Sequence, residues 1–113
     1  LVSFGAGFNS IDENTVQALQ DCPDLKVWLF GSTQNPGGKH VLKRNYKINL
    51  EHKTGQLDFE QFMQAYHSQE RGELLVLQGH PMLWDAGEFA TFQQMIAFLK
   101  DEGAIFILPR DTI

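Results

Sequence analysis

ELLVLQGHPMLW, residues 73–84, is the stretch whose reading decides the fold. Leu74 to Leu77 is an apolar run with no polar residue at alternate positions, which is the pattern of a strand covered on both faces of a sheet. The run ends in a Gly-His-Pro turn, and Trp84 follows His80 by four residues. In parallel α/β folds the loops leaving the carboxyl ends of the strands carry the ligand site. The same twelve residues therefore indicate a fold class and nominate His80.

Working outward, LKVWLF at 25–30 and AIFIL at 104–108 repeat the buried-strand pattern, and LVSF at the start reads as a strand end. Helical periodicity separates them. Ser10 and Glu13 have capping-box spacing ahead of Val16 and Leu19, predicting a helix over about 11–21. Phe59, Phe62, Met63 and Tyr66 fall at i, i+3, i+4 and i+7 behind Asp58 as N-cap, and Gly72 lies beyond the end. Phe89, Phe92, Ile96 and Leu99 mark a third helix that stops at Gly103. GSTQNPGGKH, 31–40, is dense in turn formers and reads as a loop, whereas NYKINL, 45–50, alternates like a strand with one wet side. The order β-α-β-(β)-α-β-α-β predicts an α/β fold of parallel strands with crossover helices. A doubly wound sheet or a segment of a (β/α) barrel both satisfy it, and we favour the barrel segment.

Composition narrows the function. The chain has 113 residues, 42% of them hydrophobic and 20% charged, which suits one folded domain and argues against disorder. Its apolar runs are only strand length, so no membrane span is expected. Nine Lys and Arg against fourteen Asp and Glu give a net charge of −5, which disfavours a nucleic-acid partner. The single cysteine, Cys22, cannot form an intrachain disulfide and reads as packing at a helix end. Leu1 stands where a whole protein would carry Met, so we expect a piece of a longer polypeptide. The compartment is left open.

His80 at the turn could donate a proton to a leaving group or stabilise an oxyanion, or its ring could simply satisfy a backbone carbonyl. Trp84 could be a stacking wall for a sugar or a staple packing the start of the next helix. Asp85 and Glu88 could stand near a site, but read more simply as the cap and charge match of that helix. Phe8 and Asn9 lie in FGAGFN, whose glycines would let a substrate approach the backbone; a tight strand-to-helix turn explains the same glycines. The spacing there matches no dinucleotide or phosphate loop. His40, His52, His67 and His80 are too far apart in sequence to form the close pair that holds zinc, and His67 reads as a solvated surface residue. No serine has the nucleophile-elbow context.

LVLQGHPMLW resembles the last motif of the polysaccharide deacetylases of the NodB-homology type, in which a strand ends in a Leu-x-x-His-Pro-like sequence. FGAGFNSIDENTVQAL resembles an earlier motif of that family, and KVWLF and FLKDEGAIFILPRD fit in order and spacing. The resemblance covers nearly the whole chain and corresponds to the C-terminal half of the family's domain. It implies a distorted (β/α) barrel and removal of acetyl groups from a glycan substrate. It also implies a divalent metal, usually zinc, with an Asp as base and His80 as the acid. Trp84, Phe8 and Asn9 would then line the substrate. The family's Asp-Asp and His-x-x-x-His motifs do not occur in this chain, and the Arg and Pro of its third motif are missing from LVSFGAGFN. The metal ligands and the base are therefore expected outside this chain, which alone should be inactive. An upstream segment or second chain would complete the barrel, and a homo-oligomer is a further expectation because an open half-barrel exposes sheet edges. The alternative is a carbohydrate-binding or assembly module that keeps the barrel segment without the chemistry. An unrelated doubly wound domain would suit a His80 buried in the core.

Overall fold

The computed structural model describes residues 1–113 and divides into two units, Leu1–Lys43 with Phe106–Ile113, and Arg44–Ile105. The chain is a mixed α/β protein with a three-stranded parallel sheet, as the apolar runs imply.

In the first unit, strands β1 (Ser3–Gly5), β2 (Val27–Leu29) and β3 (His40–Leu42) lie in that order, both pairs parallel, with Trp28 opposite Phe4 and Val41. Val27, Trp28, Leu42 and Leu19 are its buried apolar residues. Helix α1 (Glu13–Asp21) links β1 to β2. Its capping box is Asp12 with Thr15 rather than Ser10 with Glu13: the Asp12 carboxylate accepts from the Thr15 amide at 2.9 Å. Cys22 is the residue closing α1 and is exposed, so it is not packing.

Between β2 and β3 the crossover helix is replaced by a loop stitched through side chains. Asn35 both donates to the Lys39 carbonyl and accepts from the Lys39 amide, while the Lys39 ammonium donates to the Cys22 carbonyl at 2.7 Å. Gly31 in that loop has φ +87°, and a Cβ there would stand 2.5 Å from Val41 Cγ1, so only glycine fits. Strand β3 begins at His40, at the end of the stretch read as loop.

The second unit is built on two amphipathic helices, α2 (Phe59–Ser68) and α3 (Ala86–Asp101), and a hairpin of β4 (Glu51–Lys53) and β5 (Gln56–Leu57). Asp58 caps α2 and Asp85 caps α3, each carboxylate accepting an amide three residues on at 2.9 Å. Phe62 and Tyr66 of α2 meet Phe98, whose ring lies 5.2 Å from Tyr66 at 82°, edge to face. The buried stripe of α3 runs through Met95 and Leu99 with Phe92 and Phe98 beside it, while Phe89 is 44% exposed. His67 is exposed, as expected.

Three expected strands are not paired. In NYKINL the Asn45 side chain accepts from the amides of Lys47 and Ile48, both at 2.9 Å, and Asn49 donates to the Tyr46 carbonyl. These short-range bonds turn the backbone and defeat the alternation. Residues 73–78 and 104–108 join neither sheet; the Asn45 amide donates to the Val76 carbonyl at 2.8 Å, but no ladder forms there. Leu75 and Leu77 still pack against the core, but Ile105, Phe106, Ile107 and Leu108 are exposed. No helix is long and apolar enough to cross a membrane.

Candidate functional site at the Glu51 carboxylate

His80 lies in the second unit at the start of a 3-10 turn, Pro81–Leu83. Pro81 fixes the first position of the turn, and the amides of Leu83 and Trp84 donate back to the carbonyls of His80 and Pro81. That one turn brings the imidazole of His80 and the indole of Trp84 to the same carboxylate, Glu51 of β4. Glu51 Oε2 is 2.7 Å from His80 Nδ1, and Glu51 Oε1 accepts the His80 amide and the Trp84 Nε1–H, also at 2.7 Å.

Glu51 is only 7% exposed along its side chain and His80 35%. Burial pushes the Glu51 carboxyl up and is the largest single influence on it. The bonds from the His80 ring, the His80 amide, the Trp84 indole and the Gly55 amide together outweigh burial and hold it below the usual carboxylate range. An ionised Glu51 accepts all its bonds, so the His80 ring presents Nδ1–H to it. Nε2 is left as the nitrogen for other chemistry.

Trp84 is buried, with Phe89 at 5.3 Å and Phe92 at 5.0 Å from its ring. The expected sugar-stacking face is occupied by these phenyl rings. The indole instead packs the start of α3 and steadies Glu51, which is the staple reading. Asp85 caps the helix, accepting the Glu88 amide, whereas the Glu88 side chain reaches β5, its Oε2 accepting the Leu57 amide at 2.7 Å.

Phe8 and Asn9 belong to the first unit. Both have positive φ, 54° and 53°, and Phe8 is fully exposed in a 3-10 turn. The structure therefore joins His80 with Trp84 through Glu51, and leaves Phe8 and Asn9 in the other unit.

Glu51 was not legible as a site residue. It stands 29 positions from His80, in a hairpin whose sequence gives no sign of a buried acid. A polar depression of about 470 Å³ lies in the same unit, lined by His52, Thr54, Gly55, Gln56, Leu57, Leu83, Asp85 and Glu88. No three His, Cys, Asp or Glu side chains are grouped to hold a metal ion, so the chain's own donors do not fit the metal that the deacetylase resemblance implies. Compared with protein-family models, curated proteins and solved structures, the chain matches none.

Proposed function

We propose that this chain is the C-terminal part of a hydrolase of the polysaccharide deacetylase type, acting on acetylated glycans, with His80 as its proton donor. The single observation that carries the reading is the Glu51–His80 contact at 2.7 Å. A buried carboxylate fixes the ring's orientation and sets a negative charge against an imidazole that must carry a positive one, leaving Nε2 as the nitrogen for proton transfer. In N-deacetylation the C–N bond of the tetrahedral intermediate breaks, and Nε2–H gives its proton to the departing amine. The same N–H could hydrogen-bond the oxyanion. Glu51 and Trp84 act by positioning and touch no reacting atom.

In this reading the metal ligands and the base come from an upstream segment or a second chain that completes the barrel, and no step is assigned to the metal here. The exposed run Ile105–Leu108 supports such completion, since strand-forming apolar residues lie open there. The polar depression supports a hydroxyl-rich ligand, because His52, Thr54 and Gln56 supply donors and Asp85 and Glu88 acceptors beside Leu57 and Leu83.

The test uses the full-length polypeptide that contains this chain and oligomers of N-acetylglucosamine. His80→Ala is expected to lower acetate release about 10²–10⁴-fold with the circular dichroism unchanged. Glu51→Gln should lower it less and displace the pH profile. Acetate release unchanged in His80→Ala removes His80 from the chemistry. Oligomer binding without acetate release by the wild type supports the carbohydrate-binding alternative.

A further inference from the structure

Beside the dyad stands a second charged side chain that the proposed reaction does not use. Arg44 donates through Nη1 to Gln78 Oε1 at 2.6 Å and through Nη2 to Asn49 Oδ1 at 3.2 Å, and its guanidinium carbon lies 4.9 Å from the Tyr46 ring centroid. All three partners are uncharged. Arg44 Nε is the one buried side-chain nitrogen or oxygen with no hydrogen-bond partner, and the structure's only ion pair is His80 with Glu51. A half-buried guanidinium held by neutral oxygens has lost much of its hydration without gaining a counter-charge.

Its position relative to His80 follows from two segments that pair twice. Asn49 and Gln78 grip Arg44; Glu51 and His80, each two residues further along its own segment, grip each other. Between them Leu50 meets Gly79, where an added Cβ would stand 3.4 Å from Leu50 Cδ1. Two residues of chain span at most about 7 Å, so the Cα atoms of Asn49 and Glu51, and those of Gln78 and His80, are no further apart than that.

We propose that Arg44, steadied by Asn49 and Gln78, is a carboxylate-binding subsite beside His80. Arg44 has five N–H donors, two of them used by these contacts, so a guanidinium that pairs naturally with carboxylates keeps donors for one. A singly charged group suits the place better than a phosphate dianion, because Glu51 stands nearby and the chain carries a net charge of −5. The proposal rests on the hydrolase reading only in naming the source: acetate as product, or an acid group on the sugar. The binding itself needs no turnover, so its failure is distinct from failure of the hydrolase.

The test is a titration of the 113-residue chain, followed by the arginine Nε–H signals in proton–nitrogen NMR. There are three, from Arg44, Arg71 and Arg110, assigned by single Arg→Lys variants. Sodium acetate and sodium glucuronate are added in separate arms against sodium chloride at equal ionic strength. The expected result is a saturable shift of the Arg44 signal, with Arg110 still, in at least one carboxylate arm and not with chloride. Saturation with acetate points to the product; saturation with glucuronate alone points to an acidic sugar. In Arg44→Lys the shifts of the Gln78 and Asn49 side-chain amides should need about tenfold more ligand. A shift that stays linear, that chloride reproduces, or that Arg110 shares equally overturns the proposal, and so does Arg44→Lys binding as tightly as wild type. If that variant does not fold, the wild-type titration decides alone.

Discussion

Two loops follow strand-like segments in this protein, and they are held in opposite ways. The Gly79-His80-Pro81 loop closes on a buried carboxylate that receives the His80 ring, the His80 amide and the Trp84 indole. The Gly5-to-Asn9 loop is closed by backbone bonds, Asn9 to Ala6 at 3.1 Å and Ser10 to Gly7 at 3.0 Å, and Phe8 projects fully exposed from it. A buried charge enforces geometry because every donor it loses leaves an expensive orphan. Backbone closure sets the path of the chain and leaves the side chain at its tip uncommitted.

The contrast breaks first at Glu51. Glu51→Ala strands the amide and ring of His80 and the indole of Trp84, so the second unit should lose about 3 kcal/mol, roughly one for each donor. Urea unfolding measures this, and the Trp84 indole N–H signal should move upfield as its acceptor goes. A loss below about 0.5 kcal/mol would mean that the carboxylate does not organise the loop.

Gly79→Ala tests the same loop from its packed side. The new Cβ would lie 2.8 Å from Trp84 Cζ2 and 3.2 Å from Cη2, and the indole cannot retreat without giving up Glu51. We expect destabilisation of about 2 kcal/mol, within the range for overpacking, and a weakened Glu51–His80 contact. Wild-type stability in this variant would show that the Trp84 ring has room to move.

The two loops also differ in their response to acid. The Glu51 carboxyl is held below its ordinary value, so its contribution is complete above the unfolded value, about pH 4.3, and is lost as the pH falls through the lower folded value. Unfolding of the second unit between pH 7 and pH 3 should show this loss in wild type and not in Glu51→Gln. Parallel pH curves for the two proteins remove Glu51 as the source.

How much of this was legible from sequence follows from the range of the interactions involved. Local signals read well: Asp58 and Asp85 cap helices because a carboxylate needs only the amides of the next turn, and Phe62 and Tyr66 face the core because 3.6-residue periodicity puts them there. Val27 to Leu29 is a buried parallel strand, as its apolar run requires. The alternation of NYKINL misled, since the Asn45 side chain takes the amides of Lys47 and Ile48 and turns the backbone after a single bond from the Asn45 amide to Val76. AIFIL has the residues of a buried strand, but burial depends on what lies beside it, which local sequence does not state. His80 stood out as a turn histidine after an apolar run. Its partners Glu51, 29 residues away, and the Arg44–Gln78 contact, 34 residues apart, arise only when the chain folds back.

The smallest expected effect sharpens the contrast most. Phe8 is fully exposed and sits at φ 54°, so Phe8→Ala removes no buried contact and keeps the same backbone strain. The melting midpoint in urea should correspond to a change within about 0.5 kcal/mol, against about 3 for Glu51→Ala. A large exposed ring that contributes nothing to folding is free for other contacts. If stability falls by more than about 1 kcal/mol, the ring is packed in solution, and the difference between the two loops lies in what covers them rather than in how they are closed.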